Sequence, residues 1–344
     1  MKRMGVAVVG YGFMGTVHLN AWSMIPEARV VALVARHPNR AKAVAKKFKA
    51  KVFPDLDRAM KGTDVDLVDV TTPTFTHKEH VVKAAQAGKQ VLVEKPFALT
   101  LKDSDQMIHA AHRAGVKLMV AQCIRFFAEY ARIKELVSQG SIGEPVIARG
   151  LRAGPLPTWG ARSWFLDPKK SGGVGIDLAI HDIDFTRWCF DDEVKTVYAK
   201  VGRLAHKKGV CDDHALFILR FEHDGIAHIQ ASWAVPQQYP FTTYFEIAGR
   251  KGFISVDNSS VSPITVMSNG KVEKMSPEAM PSVPGMPFPI DPYYREVRHF
   301  VDCLESGKEP MTNGEEAKKS LEIALAGIRS SKTGSVVKLP LEAH

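Results

Sequence analysis

The sequence is poor in cysteine: four in 344 residues, at Cys123, Cys189, Cys211 and Cys303. They are far apart and form no Cys-x-x-Cys pair. That argues against a disulfide framework or a structural zinc site, and for buried thiols in a reducing compartment. Long hydrophobic runs are also missing. No stretch approaches the roughly 20 apolar residues needed to cross a bilayer, so no membrane role is expected. The opening residues Met1 to Val6 run straight into a strand-like segment without the longer apolar core of a secretory leader, so a cytoplasmic location is expected. Low-complexity tracts are absent too: the 26 Gly and 20 Pro are dispersed. A strong charge of one sign is lacking locally. The net charge of +9 comes from 46 basic and 37 acidic residues. The densest basic run, Lys42 to Lys51, alternates with apolar residues as a solvated helix face does, so no nucleic-acid partner is expected.

What is present is an ordinary globular composition, 45% hydrophobic and 24% charged, at a length that suits two domains. Up to about residue 122, short apolar runs (Val6–Val9, Val30–Ala35, Val65–Val70, Val91–Val93, Leu118–Ala121) alternate with helical patterns (Met14–Met24, Asn39–Phe48, His77–Ala87, Leu101–Ala114). Such alternation implies a parallel sheet covered on both faces, a doubly wound α/β domain over 1–122. A second domain over 123–344 begins with a helix, Phe127–Ser138. It continues through a Gly/Pro-rich stretch and a single helix, Val174–Cys189. Alternating strands then place Ala215, Phe217, Leu219 and Phe221 on one face, and Ala227, Ile229, Ala231 and Trp233 likewise. Short turns between them indicate an antiparallel sheet. Ser259–Pro289 reads as strand plus loop. Helices at Tyr293–Leu304 and Gly314–Ser330 close the chain.

The first strand ends in Gly10-Tyr11-Gly12-Phe13-Met14-Gly15, a G-x-G-x-x-G between strand and helix. Gly10 permits the tight turn, Gly12 lets the backbone approach a pyrophosphate, and Gly15 lets the helix pack on the strand. A dinucleotide fold usually carries an acid about 20 residues on, for the ribose hydroxyls. Here the second strand ends in Arg36 and His37, with Arg40 following and no carboxylate. An arginine pairs with a 2′-phosphate, so NADP is slightly favoured over NAD; the alternative is that Arg36 stacks on adenine and both bind.

The third strand runs into Thr71-Thr72-Pro73-Thr74 and a helix containing His77, and the fourth into Glu94-Lys95-Pro96. Both stand at the carboxyl edge of the sheet, where open α/β folds bind ligands. Lys95 there either serves proton transfer or snorkels to solvent. Asp177 and His181 are spaced i, i+4 on the expected helix, with Asp184 extending the stripe, and read either as an acid–base pair or as a surface ion pair. His77/His80 and His109/His112 lack a third ligand; they read as surface helix histidines, and no metal is expected.

Together these segments resemble the glucose–fructose oxidoreductase/inositol dehydrogenase (Gfo/Idh/MocA) family along nearly the whole chain. The match includes Gly10–Gly15, Thr72-Pro73 with His77, Glu94-Lys95-Pro96, Arg125-Phe126 and Gly172 to His181. The resemblance implies a Rossmann domain followed by an α/β domain on a large, mainly antiparallel open sheet. It implies NAD or NADP, a sugar, inositol or related polyol as substrate, and a homodimer or homotetramer. It maps Lys95, Asp177 and His181 onto the catalytic triad, with Arg125 and Trp164 also on the substrate side. Gly10, Gly12, Phe13, Met14, Gly15, Arg36, Arg40, Thr72, Pro73, His77, Glu94 and Lys95 fall on the cofactor side. Two other functions share the resemblance: an NAD-retaining glycosidase or epimerase, and a non-catalytic nucleotide-binding sugar sensor. Retention of Lys95 and His181 speaks against the sensor.

Overall fold

A computed structural model describes residues 3–157, 161–206, 210–278 and 290–342, the side chains of 161–163 excepted. By packing, the chain divides into two units. One comprises Met1–Phe126 and Met280–Lys318, the other Phe127–Ala279 and Lys319–His344.

The first unit runs β1 (Met4–Val9), α1 (Phe13–Ser23), β2 (Ala28–Val34), α2 (Pro38–Lys47), β3 (Lys51–Phe53), α3 (Leu56–Gly62), β4 (Leu67–Val70), α4 (His77–Gln86), β5 (Gln90–Glu94), α5 (Leu101–Ala114) and β6 (Leu118–Ala121). Among the described residues the sheet is six-stranded and parallel, in the order β3-β2-β1-β4-β5-β6. Strands β1, β4, β5 and β6 are buried almost throughout, as a sheet covered on both faces demands. The order reverses between β1 and β4, which makes the carboxyl ends of these strands the switch point of the sheet. Strand β3 and helix α3 are additions to the sequence expectation. β3 is a three-residue edge strand, and α3 a seven-residue helix capped by Asp55, whose side chain accepts from Arg58 N–H.

The second unit runs α6 (Ala128–Ser138), β7 (Pro145–Pro155), α7 (Pro168–Ser171), α8 (Val174–Asp177), α9 (Ala179–Phe190), β8 (Val194–Gly202), β9 (His214–Phe221), β10 (Ile226–Val235), β11 (Thr242–Gly249), β12 (Gly252–Asp257), β13 (Ile264–Ser268) and β14 (Lys271–Met275). In chain order α10 (Asp291–Ser306), which belongs to the first unit, follows, then α11 (Gly314–Thr333), which begins in the first unit and ends in the second, and β15 (Val337–Lys338) in the second. Among the described residues the unit's sheet is nine-stranded, ordered β14-β13-β12-β11-β7-β10-β9-β8-β15. Among the described pairings of this sheet, the β7–β10 pairing alone is parallel. The expected alternation is present. Ala215, Phe217, Leu219 and Phe221 are fully buried on β9, while Leu216 and Ile218 face outward.

Three differences from the sequence reading have physical causes. The sequence placed one boundary at 122/123, yet α10 packs with the first unit. Its Val297, Phe300 and Val301 join the core around Leu19, Trp22 and Leu92. The Gly/Pro-rich stretch conceals β7, where Gly150 lets α9 pack closely: a Cβ there would lie 3.1 Å from that of Asp182. The single helix expected over 174–189 is two, α8 and α9, joined at Leu178. Of Ser259–Pro289, the described part forms β13 and β14, and 279–289 lie outside the described residues. None of the four cysteines forms a disulfide; three are buried and Cys123 is half-buried. Among the described residues no helix is long and apolar enough to cross a membrane.

Candidate active site

At the carboxyl end of β1 the chain turns through Gly10, whose φ of 103° lies in the left-handed region that favours glycine. A Cβ on Gly10 would come within 2.9 Å of Thr71 O, and one on Gly15 within 2.5 Å of Gly10 O and 2.8 Å of Thr71 Oγ1. Those two glycines are therefore demanded by the packing of β1, α1 and the end of β4. Gly12 is not: a Cβ there would meet nothing within 4 Å. Gly12 is the N-cap of α1, with no side-chain cap and no acid in the first turn. The positive end of α1 thus opens onto free space, the arrangement that suits a phosphate. Phe13 is exposed and Met14 half-buried against the core. Past β2, Arg36 and Arg40 are both exposed, and α2 carries no acid in its first turn.

The neighbouring strand ends are tied together from inside. His77 is 1% exposed, not on the surface as its helix position suggested. Its Nε2 lies 2.8 Å from Thr72 O, and its Nδ1 3.1 Å from Pro96 O and 3.4 Å from Phe97 O. It links the Thr72-Pro73 segment to the turn after β5, and burial holds its imidazole below the ordinary value. Thr76 Oγ1 donates to Thr72 Oγ1 (2.8 Å) and also lies 2.8 Å from Pro73 O. Lys95 follows β5 and is half-buried; its backbone N–H donates to Glu94 Oε2 at 3.0 Å. Glu94 itself is buried. Arg125, expected on the substrate side, is 3% exposed and donates from Nη1 to Met311 O at 3.0 Å, with Glu316 at 3.8 Å.

In the second unit, Gly172 and Gly173 have φ of 76° and 72° and turn the chain into α8. A Cβ on Gly172 would strike the Ile176 side chain. Ser171 Oγ donates to Phe165 O (2.7 Å) and accepts from Gly173 N–H (3.1 Å), while Val174 N–H donates to Asp212 O (3.2 Å). Asp177 ends α8 and His181 lies in the first turn of α9; they are 6% and 9% exposed. Asp184, which extends the stripe, and Asp182, next in sequence to His181, are engaged elsewhere. Arg152 donates to both oxygens of Asp182 (2.9 and 3.2 Å), and Ser320 Oγ donates to Asp184 Oδ1 (3.0 Å). Trp164 is half-buried and stacked on Phe165 with ring centroids 3.9 Å apart. Burial pushes the Cys211 thiol up to about 12, so it is no nucleophile.

The first unit also holds polar residues that pattern reading passed over. His18, Trp22 and Asp69 are fully buried, and Asp69 sits inside an apolar run. Its signal was in the sequence: a carboxylate in the middle of a strand covered on both faces needs a partner.

Residues 4–122 match the family described as "Oxidoreductase family, NAD-binding Rossmann fold", and 130–255 match the "GFO/IDH/MocA C-terminal domain". The chain is similar to myo-inositol 2-dehydrogenase of Thermotoga maritima, 30% identical over 98% of both chains. It is similar to scyllo-inositol 2-dehydrogenase (NAD(+)) of Bacillus subtilis, 28% identical over 98% of this chain and 96% of the other. Among solved structures it superposes on GenD2 from gentamicin A biosynthesis in complex with NAD, with a TM-score of 0.86 and 26% identity over 99% and 97% of the two chains. The parallel nucleotide-binding sheet, the mixed sheet beyond it and matches along both place this chain in the Gfo/Idh/MocA family of oxidoreductases.

Proposed function

We propose that this chain is a nicotinamide-dependent dehydrogenase acting on a secondary alcohol of an inositol, sugar or related polyol, or on the corresponding carbonyl. The observation that carries the reading is the open space at Gly12, before an uncapped helix and at the sheet edge that also carries Lys95. The residues present fit a dinucleotide: a cradle a Cβ would fill, a helix N-terminus and two exposed arginines past β2. Gly10 to Gly15, Thr72, Pro73 and Glu94 form or frame its seat, with His77 holding two of these segments together. When bound, the nicotinamide supplies or accepts the hydride. The chain's own part is proton traffic and position. His181 exchanges the proton of the reacting hydroxyl or carbonyl oxygen. Lys95 polarises that oxygen or relays the proton, and Asp177 binds a neighbouring hydroxyl and orients the others. Arg125 and Trp164 complete the substrate side of this reading.

Lys95→Ala and His181→Ala are each expected to lower kcat by at least about a hundredfold, the scale of lost acid–base catalysis. Cofactor dissociation constants should change little. Near-normal turnover in both variants would remove these residues from the chemistry.

The cofactor is NADP in preference to NAD on this reading, through Arg36. A charge-assisted bond to the 2′-phosphate is worth roughly 1.5–3 kcal/mol, so Arg36→Ala should weaken NADP by about 10- to 100-fold and leave NAD nearly unchanged. Equal losses for both would assign Arg36 to adenine stacking. Because Arg40 is also exposed, the double variant is measured alongside.

The outer face of the second unit's sheet exposes Ile147, Leu216, Ile218, Ile226 and Met267. On our reading it is covered by another copy, in a dimer or tetramer. Sedimentation as a monomer at micromolar concentration would overturn this.

A further inference from the structure

We propose that His18 is a positioning residue for the reaction: held between Asp69 and Glu94, it fixes the Glu94–Lys95 turn and so the placement of Lys95. This rests on the reading of Lys95 given above. The imidazole, carried by the middle of α1, has no exposed surface. Its Nδ1 is 2.9 Å from Asp69 Oδ2 on β4, and its Nε2 is 3.0 Å from Glu94 Oε1 at the end of β5. As carboxylates both neighbours accept. Only the imidazolium, with two N–H groups, donates to both.

Glu94 passes this restraint on. One oxygen takes the imidazole and the other accepts the backbone N–H of Lys95 at 3.0 Å. Two hydrogen bonds therefore join the centre of α1 to the main chain of Lys95. Water is excluded from His18, so the bonds to it act at low dielectric, where charge-assisted pairs are strong. The far side of the turn is pinned separately, by His77 at the carbonyls of Pro96 and Phe97 and by the buried Phe97 ring. Loss of His18 thus loosens the near end, where Lys95 sits, and leaves the far end held.

The surroundings of His18 account for its charge. From β4 and β5 it faces Asp69 and Glu94; from α10 it meets Tyr293, whose ring centroid is 6.4 Å away, and the field of Glu296. Asp69 is further bound by Trp22 Nε1–H at 2.7 Å. Burial alone pushes the His18 imidazole down, but Asp69 and Glu94 carry it well above its ordinary value. Glu296 is fully buried, and neither carboxyl oxygen has a hydrogen-bond partner among the described residues. Burial raises it well above its ordinary value, which favours the neutral acid over a third carboxylate beside the imidazolium. The Tyr293 phenol is raised by burial too, with Cys123 and Glu94 adding to the effect, and stays protonated.

The test is a double-mutant cycle on kcat with His18→Gln and Lys95→Ala, using the most active inositol or sugar with NAD or NADP. In the wild-type background His18→Gln should lower kcat by roughly ten- to a hundredfold, as misplacement of a reacting group does, with cofactor affinity within about twofold. In the Lys95→Ala background the same substitution should have no further effect, because the two act as one unit. Equal effects in the two backgrounds would reduce His18 to a general structural role and overturn the proposal, as would an unchanged kcat in His18→Gln. Full turnover by Lys95→Ala would instead sink the reading of Lys95 itself. If His18→Gln does not fold, His18→Asn, whose shorter amide reaches toward Asp69 but not to Glu94, serves the same cycle. Nitrogen NMR of the wild-type protein at about pH 8 gives a check without substitution. Two protonated ring nitrogens at His18 are expected, and a single-tautomer neutral ring would overturn the proposal.

Discussion

The two units solve the same problem with different chemistry. In each, a candidate catalytic residue stands next in sequence to a buried carboxylate, and that carboxylate is anchored by a cation from another element. Lys95 follows Glu94, which is bound by His18 of α1. His181 precedes Asp182, which is bound twice by Arg152 of β7. The arginine is always charged and fits the carboxylate as a fork. The imidazole is charged only because two carboxylates flank it. The second unit therefore has a permanent clamp, and the first has one that titrates.

The largest expected effect comes from removing the permanent clamp. Arg152→Ala leaves Asp182 buried without its ion pair and should cost about 3–5 kcal/mol in denaturant unfolding. Replacing both partners together, Arg152→Met with Asp182→Leu, should be close to neutral by comparison. A small loss in the single variant would mean that Asp182 is hydrated, and would break the comparison at its firmer end.

A smaller effect distinguishes the units by pH. His18 and Glu296 have folded values above their unfolded ones, so the native state holds protons that the unfolded chain gives up. Their stabilisation is complete in acid. It is lost as pH rises, beginning near about 4.3 for Glu296 and about 6.5 for His18. In the second unit the sign is opposite. Glu193 is pulled down to about 2, chiefly by its hydrogen bond from Arg187, helped by Lys319. Asp213 is lowered too: burial opposes this, but the backbone N–H groups of Leu204 to His206 prevail. Stability from these groups is present above the ordinary carboxylate range and fades as pH falls below it. Hydrogen exchange, corrected for intrinsic rate, should show β4 and β5 losing protection toward alkaline pH and the strands near Glu193 losing it toward acid. Parallel behaviour in both units would contradict the assignment.

The smallest expected effect sharpens the first unit alone. Glu296→Gln mimics the neutral acid, so it should raise the melting temperature at neutral pH, and its advantage should grow from about pH 4.3 upward. A variant less stable than wild type at every pH would mean that Glu296 is charged in the fold.

Legibility in the sequence followed how each element is covered. Helix α5 was expected at Leu101–Ala114 and is found there, because Thr100 caps its start and Gly115, at φ 64°, ends it. The parallel strands were readable because burial on both faces leaves them almost wholly apolar. That same habit hid Asp69, absorbed into an apolar run when it was the exception that marked the buried network. β7 was lost among glycines whose reason is remote in sequence: Gly150 against Asp182, and Gly154 against the Phe241 ring. Asp177 and His181 were identified from spacing, but the helix that was to align them breaks at Leu178. The burial of His77 could not be read locally, since its partners at Pro96 and Phe97 belong to the next strand's turn.

The most direct test of the account is the balance between product formed and nicotinamide consumed. With an inositol, sugar or sugar acid as substrate, the wild-type protein should accumulate one reduced cofactor for each molecule oxidised, and Lys95→Ala and His181→Ala should lose both together. Conversion of substrate with no net change in the cofactor would contradict it, and would identify a reaction that recycles the nicotinamide.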